Sequence, residues 1–157
     1  MQPALIRTMT LADLDLVVAI AESERNAPQW PRSAYAAAVD PAAQPMRIAL
    51  VAEDVATRQV AGFVVARVIS PEAELETIVT ATAFQRRGLA REMFVALAVQ
   101  LERAGAVEVS LELRESNHRA KALYVALGFE ETGRRTAYYA DPVEDAVLMI
   151  AKLQAAS

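Results

Sequence analysis

The residues best suited to chemistry form a run in the middle of the chain: Gln85-Arg86-Arg87-Gly88-Leu89-Ala90, followed by Arg91. The run sits where a strand pattern ends and a long helical period begins. Backbone N–H groups at such a helix start point outward without intrahelical partners, and the helix dipole makes the place attractive to anions. Gly88 lets the main chain approach a phosphate closely, small Ala90 keeps the next turn open, and Arg86, Arg87 and Arg91 add positive charge. A pyrophosphate suits the place. A nucleotide P-loop does not, because the lysine and hydroxyl it needs after its last glycine are missing. Taken alone, the run is equally a helix start carrying solvated arginines. Other chemistries are excluded by composition. There is no cysteine, and His118 is the single histidine. That removes disulfides, a cysteine acyl-enzyme and a His-rich metal cluster. No Gly-x-Ser-x-Gly elbow supplies a serine nucleophile either.

The elements that must hold such a site alternate between strand and helix periods. Ala4 to Met9 reads as a strand. Thr10 with Asp13 opens a helix whose buried stripe is Leu14, Val17, Val18 and Ala21. Asn26 to Gln29 is a loop, Pro31 suits the first turn of a second helix, and Asp40-Pro41 ends it. Arg47 to Glu53 and Gln59 to Ser70 read as antiparallel strands, and Glu74 to Ala81 follows Pro71 as another. Leu89, Met93, Leu97 and Leu101 recur every four residues, so Gln85 to Ala104 reads as a long amphipathic helix stopped by Gly105. Glu108 to Arg114 alternates, with Val109, Leu111 and Leu113 on one face and Glu112 on the other. Ser116 or Asn117 caps a last helix through Leu127. Phe129 to Ala140 and Asp145 to Lys152 complete the strands. The expected architecture is an α/β (α+β) domain: a mixed central sheet of about six to seven strands with four helices. The passage from Glu74 to Arg114 should supply a parallel pair through a helical crossover.

The whole of residues 1–157 is expected to be one domain. Hydrophobic residues make up 54%, enough for a core without staples. A net charge of -4 argues against a general nucleic-acid binder. No signal-peptide pattern opens the chain, and no apolar run approaches the ~20 residues that span a bilayer. The expectation is a cytoplasmic protein without a membrane or nucleic-acid partner.

The run at Gln85 resembles the Gln/Arg-x-x-Gly-x-Gly/Ala pyrophosphate loop of the GNAT acetyltransferases. The likeness continues through Leu111-Glu112-Leu113-Arg114-Glu115-Ser116-Asn117, then Ala122-Leu123-Tyr124 and Leu127-Gly128-Phe129. That order is similar to the RimI-like enzymes, which acetylate protein N-termini. Tyr138-Tyr139, Pro142 and Glu144-Asp145-Ala146 resemble their C-terminal part, and Ala27-Pro28-Gln29-Trp30-Pro31 is a looser echo of their Pro-Trp-Ser loop. Thr80-Ala81-Thr82-Ala83 departs from the family, where many members have Asp-Pro.

The resemblance implies the GNAT fold and acetyl-CoA as co-substrate, with no metal. It implies that main-chain groups of Ile78, Val79 and Thr80 hold the acetyl and pantetheine end. Arg86, Arg87, Gly88, Leu89, Ala90 and Arg91 would cradle the pyrophosphate, and Asn117 would contact the cofactor. Glu112 would be the general base and Tyr124 the general acid, while Glu76 stands where other GNAT enzymes keep their base. Trp30, Tyr138 and Tyr139 would shape the acceptor pocket, and strand alternation allows only one of the two tyrosines to face it. Tyr124 lies seven residues after Asn117, two helical turns, and so shares its helix face. The implied acceptor is a protein N-terminus, with a ribosomal protein's N-terminal alanine as the suggested substrate. Two other readings stay open: a GNAT enzyme for small amines or lysine side chains, and a catalytically silent acyl-CoA-binding module. An unrelated nucleotide-binding domain would instead prefer ATP or NAD.

Overall fold

Seven segments form strands: β1 (Ala4–Thr8), β2 (Met46–Asp54), β3 (Val60–Ile69), β4 (Glu72–Thr80), β5 (Glu108–Arg114), β6 (Glu130–Tyr139) and β7 (Glu144–Lys152). In this computed structural model, which describes residues 4–24 and 26–153, they form one sheet in the order β1-β2-β3-β4-β5-β7-β6. The four α-helices are α1 (Leu14–Ser23), α2 (Arg32–Ala38), α3 (Leu89–Arg103) and α4 (His118–Ala126). Every neighbouring pair of strands is antiparallel except β4 and β5, the parallel pair joined by α3. No helix among the described residues is long and apolar enough to cross a membrane.

The sheet separates two cores. Ile48, Leu50 and Ala52 of β2 pack toward α3, whose Met93, Leu97 and Leu101 are fully buried. The intervening Ala49 and Val51 pack the other way, against Leu14, Val17 and Ala21 of α1 and Tyr35 of α2. This is the strand period of two, with both faces covered.

A bulge in β4 changes what faces where. Val65 pairs with Thr77 but Ala66 with Leu75, leaving Glu76 as the extra residue. Ala73 and Leu75 face α3; past the bulge Ile78 takes that side, and Val79 turns to the α1/α2 core. Without the extra residue, Leu75 and Val79 would share a face.

The long helix is shorter than its sequence period suggested. It starts at Leu89 rather than Gln85, because Arg86 and Gly88 both adopt left-handed backbone, with φ of 65° and 74°. Two left-handed residues cannot continue a right-handed helix, so Gln85 to Gly88 forms a loop in front of it.

The entry to α1 depends on Asp13. Its carboxylate accepts two hydrogen bonds of 2.9 Å from Arg7 and one of 2.8 Å from the Thr10 N–H. The Arg7 hydrogen bond, with help from Thr10, holds the Asp13 carboxyl below its usual range despite partial desolvation. A depressed carboxyl contributes stability above its unfolded pKa, about 3.9, and loses it as pH falls through the lower folded value. Asp13→Asn should therefore unfold at lower denaturant at pH 7, by about 1–3 kcal/mol. In urea titrations the gap to wild type should close as the buffer is taken below about pH 4. An undiminished gap in acid would show that packing, not the charge, is what the variant loses.

Candidate active site

The site is a slot through the sheet. β4 and β5 pair only at Glu72, Ala73 and Glu74, against Glu108, Val109 and Ser110. Beyond that point the strands splay, and Leu75–Thr80 on one side and Leu111–Arg114 on the other line a cleft of about 750 Å³. Among the described residues, no strand pairs with the β5-facing edge of β4 past Glu74. That edge keeps main-chain donors and acceptors available to an extended ligand.

One mouth of the slot opens toward α3 and α4. Gly88 caps α3, and the first intrahelical bond is donated by the Glu92 N–H, so Leu89, Ala90 and Arg91 present theirs to the cleft. Nothing lies within 4 Å of where a Cβ on Gly88 would stand, which leaves room for an anion. Arg86 and Arg91 line the same mouth. Arg87 does not: its guanidinium stacks 5.3 Å from the Phe84 ring and lies off the wall. Asn117, rather than Ser116, caps α4 and lines the cleft. Its Oδ1 accepts from the Ala120 N–H at 3.2 Å, leaving the amide N–H₂ for a ligand.

Tyr124 reaches the slot from α4. The helix has no fully buried residue of its own and is anchored by Phe129, whose ring lies 5.7 Å from Tyr124 and 5.3 Å from Phe94 of α3. Burial pushes the Tyr124 phenol up to about 12. Tyr124 lines the cleft beside Asn117, Ala120 and Leu123 of the same helix region.

The other mouth opens on the α1/α2 side. Leu111 and Leu113 belong to the α3 core, so alternation turns Glu112 and Arg114 to this face. The bulge places Glu76 across from them on the β4 rim. The two carboxylates differ in their partners. Glu76 is held by Arg47 at 2.8 and 3.4 Å, with its side chain only 13% exposed. Glu112 meets a single cation, Arg135, at a looser 3.3 Å and stays 28% exposed. Glu112 is the freer of the two to accept a proton.

Tyr139 lines the cleft and Tyr138 does not. Strict alternation would separate them, yet their rings touch edge to face at 5.1 Å. The cause is a register break between Arg135 and Tyr139, where Ala137 has φ 51°. Burial, and next the nearby Glu112 charge, push the Tyr139 phenol up. Trp30 is placed away from the slot: it packs on Tyr35, 5.1 Å between rings, while Asn26, Ala27 and Pro28 of the same loop line the cleft.

Glu24 was not singled out in the sequence, and Gln85 has a role in the site that its motif did not show. Gln85, counted above as part of an anion loop, uses its side chain as a brace: Nε2 donates to the Thr80 carbonyl (3.1 Å) and to Glu24 (2.9 Å), while Oε1 accepts from Arg119 (2.9 Å). Glu24, at the end of α1, also accepts from Thr82 at 3.1 Å. Only side chains brought together by the fold could reveal that network.

A splayed parallel pair with an open helix N-terminus and two arginines beside it defines a class, and comparison with known proteins agrees. The family model described as the acetyltransferase (GNAT) family matches residues 17–129, and the chain belongs to that family. It is an acetyltransferase. Among its relatives, the [ribosomal protein bS18]-alanine N-acetyltransferase of Salmonella typhimurium is 41% identical over 106 residues, 66% of this chain and 69% of that one. The putative enzyme of the same name from Bacillus subtilis is 30% identical over 146 residues, 93% of each chain. The crystal structure of the ribosomal-protein-S18-alanine N-acetyltransferase from Escherichia coli superposes with a TM-score of 0.80 at 28% identity, covering 99% of this chain and 97% of that one.

Proposed function

We propose that this enzyme transfers acetyl from acetyl-CoA to the N-terminal α-amine of a protein, with the N-terminal alanine of a ribosomal protein as its acceptor. The observation that carries the reading is the slot. One mouth offers phosphate-binding N–H groups and arginines, and the other offers a lightly paired carboxylate beside a tyrosine wall. The names of the relatives supply the acceptor.

Acetyl-CoA would bring an acyl carbon already activated as a thioester, so the protein need not form a covalent intermediate of its own. Leu89, Ala90 and Arg91 N–H groups with Arg86 would hold the pyrophosphate, and the free edge at Ile78, Val79 and Thr80 the pantetheine and acetyl end. The Ala81 N–H bonds to Ala61, so antiparallel alternation turns Val79 to Phe63 of β3 and leaves the Ile78 N–H beside it as the candidate donor to the carbonyl oxygen, where negative charge develops.

Glu112 would take the proton from the attacking amine, directly or through one water. The demand is small. An α-amino group titrates at about 7.7–8.0, so freeing it at pH 7.5 costs well under 1 kcal/mol, against roughly 4 for a lysine near 10.4. Tyr124, on the cleft wall, would stand near the sulfur. With its phenol at about 12 it is protonated at every working pH. A thiol titrates near 8.5, so complete transfer from Tyr124 is uphill by roughly 3–4 units. Tyr124 would therefore act as a hydrogen-bond donor to the departing sulfur, which leaves as a thiolate while Glu112 takes the proton that the amine gives up. Glu76, neutralised by Arg47, orients the acceptor side rather than serving as base. A cofactor sensor without turnover has no use for Glu112 and Tyr124 in these positions.

The test is mass spectrometry of a peptide panel, mixing free N-termini with internal lysines, after incubation with acetyl-CoA. Acetyl groups should appear on the α-amine, and most readily on alanine. Modification confined to lysine would replace this reading with the small-amine or lysine one, and binding of CoA without turnover would leave the silent module.

A further inference from the structure

Arg114, at the end of β5, has no part in the chemistry described so far, yet it makes more directed contacts than any neighbour in the slot. Its Nη1 donates to the Pro142 carbonyl and to the Glu144 carboxylate, both at 3.0 Å, and its Nη2 donates to the Ala140 carbonyl at 2.9 Å. The guanidinium also lies 4.6 Å from the centre of the Tyr139 ring. The second oxygen of Glu144 accepts the Ser116 N–H at 2.9 Å, where the chain leaves β5 for α4.

These contacts converge on the turn between β6 and β7, whose ends are also tied by the Tyr139–Glu144 pair and by the Ala137 N–H donating to Asp145 at 2.8 Å. β6 is an edge strand whose residues are exposed except Gly133 and Tyr139. Its pairing with β7 lapses between Arg135 and Tyr139. Val143, in the turn, is 71% exposed. At the turn itself, the planar five-donor group of Arg114 binds the Ala140 and Pro142 carbonyls. The fixed turn carries Tyr139, which walls the acceptor mouth next to Glu112.

We infer that Arg114 is a positioning residue for the acceptor: by clamping the β6–β7 turn it holds Tyr139 as a wall that binds the peptide beyond its first residue. The inference rests on the reading of this mouth as the acceptor site. Lysine cannot replace Arg114, because an ammonium has no planar fork to reach two carbonyls, a carboxylate and a ring face at once. The clamp is also insensitive to assay pH. Hydrogen bonds from Ser116, then that from Arg114, hold the Glu144 carboxyl below its usual range, so Glu144 stays ionised throughout the neutral region.

The test compares two acceptors of the same amine: alaninamide, which ends before it can reach the turn, and an alanine-initiated hexapeptide. In wild type the hexapeptide should have the lower KM. Arg114→Ala should raise the hexapeptide KM about tenfold or more, with kcat within about threefold and alaninamide unaffected. The Kd for acetyl-CoA, by calorimetry, should not change. Arg114→Lys should behave like the alanine variant, and Glu144→Gln should fall between it and wild type. Should Arg114→Ala fail to fold, the lysine and Glu144→Gln variants carry the same comparison. An unchanged hexapeptide KM in a folded variant overturns the inference. So does an equal rise for both acceptors, or a parallel loss of acetyl-CoA affinity, either of which would mark Arg114 as merely structural. Wild type that acetylates neither acceptor would instead overturn the proposed function, and this inference with it.

Discussion

Glu112→Gln should lower kcat by about 10²–10⁴-fold, the range lost when a positioned acid or base is removed. Its Kd for acetyl-CoA should barely move, because the groups proposed to hold the phosphates lie at the other mouth of the slot. The deficit should shrink as pH rises past the α-amine pKa of about 8, since the amine then arrives neutral. Glu76→Gln should cost less than Glu112→Gln, and what it costs should not be relieved by pH. Its carboxylate is committed to Arg47, and its loss strands that arginine rather than a proton. Tyr124→Phe removes one hydroxyl and should slow sulfur departure equally at all pH values. With the phenol at about 12, wild type should show no alkaline limb from this group below pH 11. A pH–rate profile of the three variants with one N-terminal peptide decides the matter. A large, pH-relieved loss in Glu76→Gln with Glu112→Gln near normal would move the base to β4.

Gly88→Glu should abolish most CoA affinity, measured by calorimetry on protein shown to be folded. Two effects separate here. The left-handed φ of 74° makes any side chain costly, by about 1–2 kcal/mol, although the space in front of Gly88 is open. Gly88→Ala carries only that strain and should keep most of its CoA affinity. The glutamate adds bulk and a negative charge where the pyrophosphate should lie, so the glutamate variant alone should lose binding. Equal affinities in the two variants would remove the donor from the α3 start.

Much of this site is legible in the sequence, and the misses have physical causes. The β5 alternation places Glu112 because a half-buried strand leaves no choice of face. The Asn117–Tyr124 spacing works for the same reason on a helix. The α3 start was misplaced because a period marks where apolar residues recur, and Gln85 to Gly88 holds none; left-handed Arg86 leaves no sequence signature. Alternation predicted that one of Tyr138 and Tyr139 faces the cleft but not that their rings touch, since a bulge is invisible to a period of two. Between two carboxylates on one sheet face, no local pattern could choose. The choice rests on Arg47, far away in sequence, which occupies Glu76 and not Glu112. Trp30 and Arg87 fit motifs by type, while tertiary packing sets them against Tyr35 and Phe84, off the cleft wall.

The central claim, that the acceptor is a protein's own N-terminal amine, is most directly tested with one peptide in two forms. The peptide begins with alanine and carries an internal lysine; in the second form its N-terminus is formylated. With acetyl-CoA and wild-type enzyme, the free form should gain one acetyl group on the α-amine, located by fragmentation in the mass spectrometer, and the formylated form should gain none. Acetylation of the formylated peptide at its lysine, as fast as the free form reacts, would contradict the account.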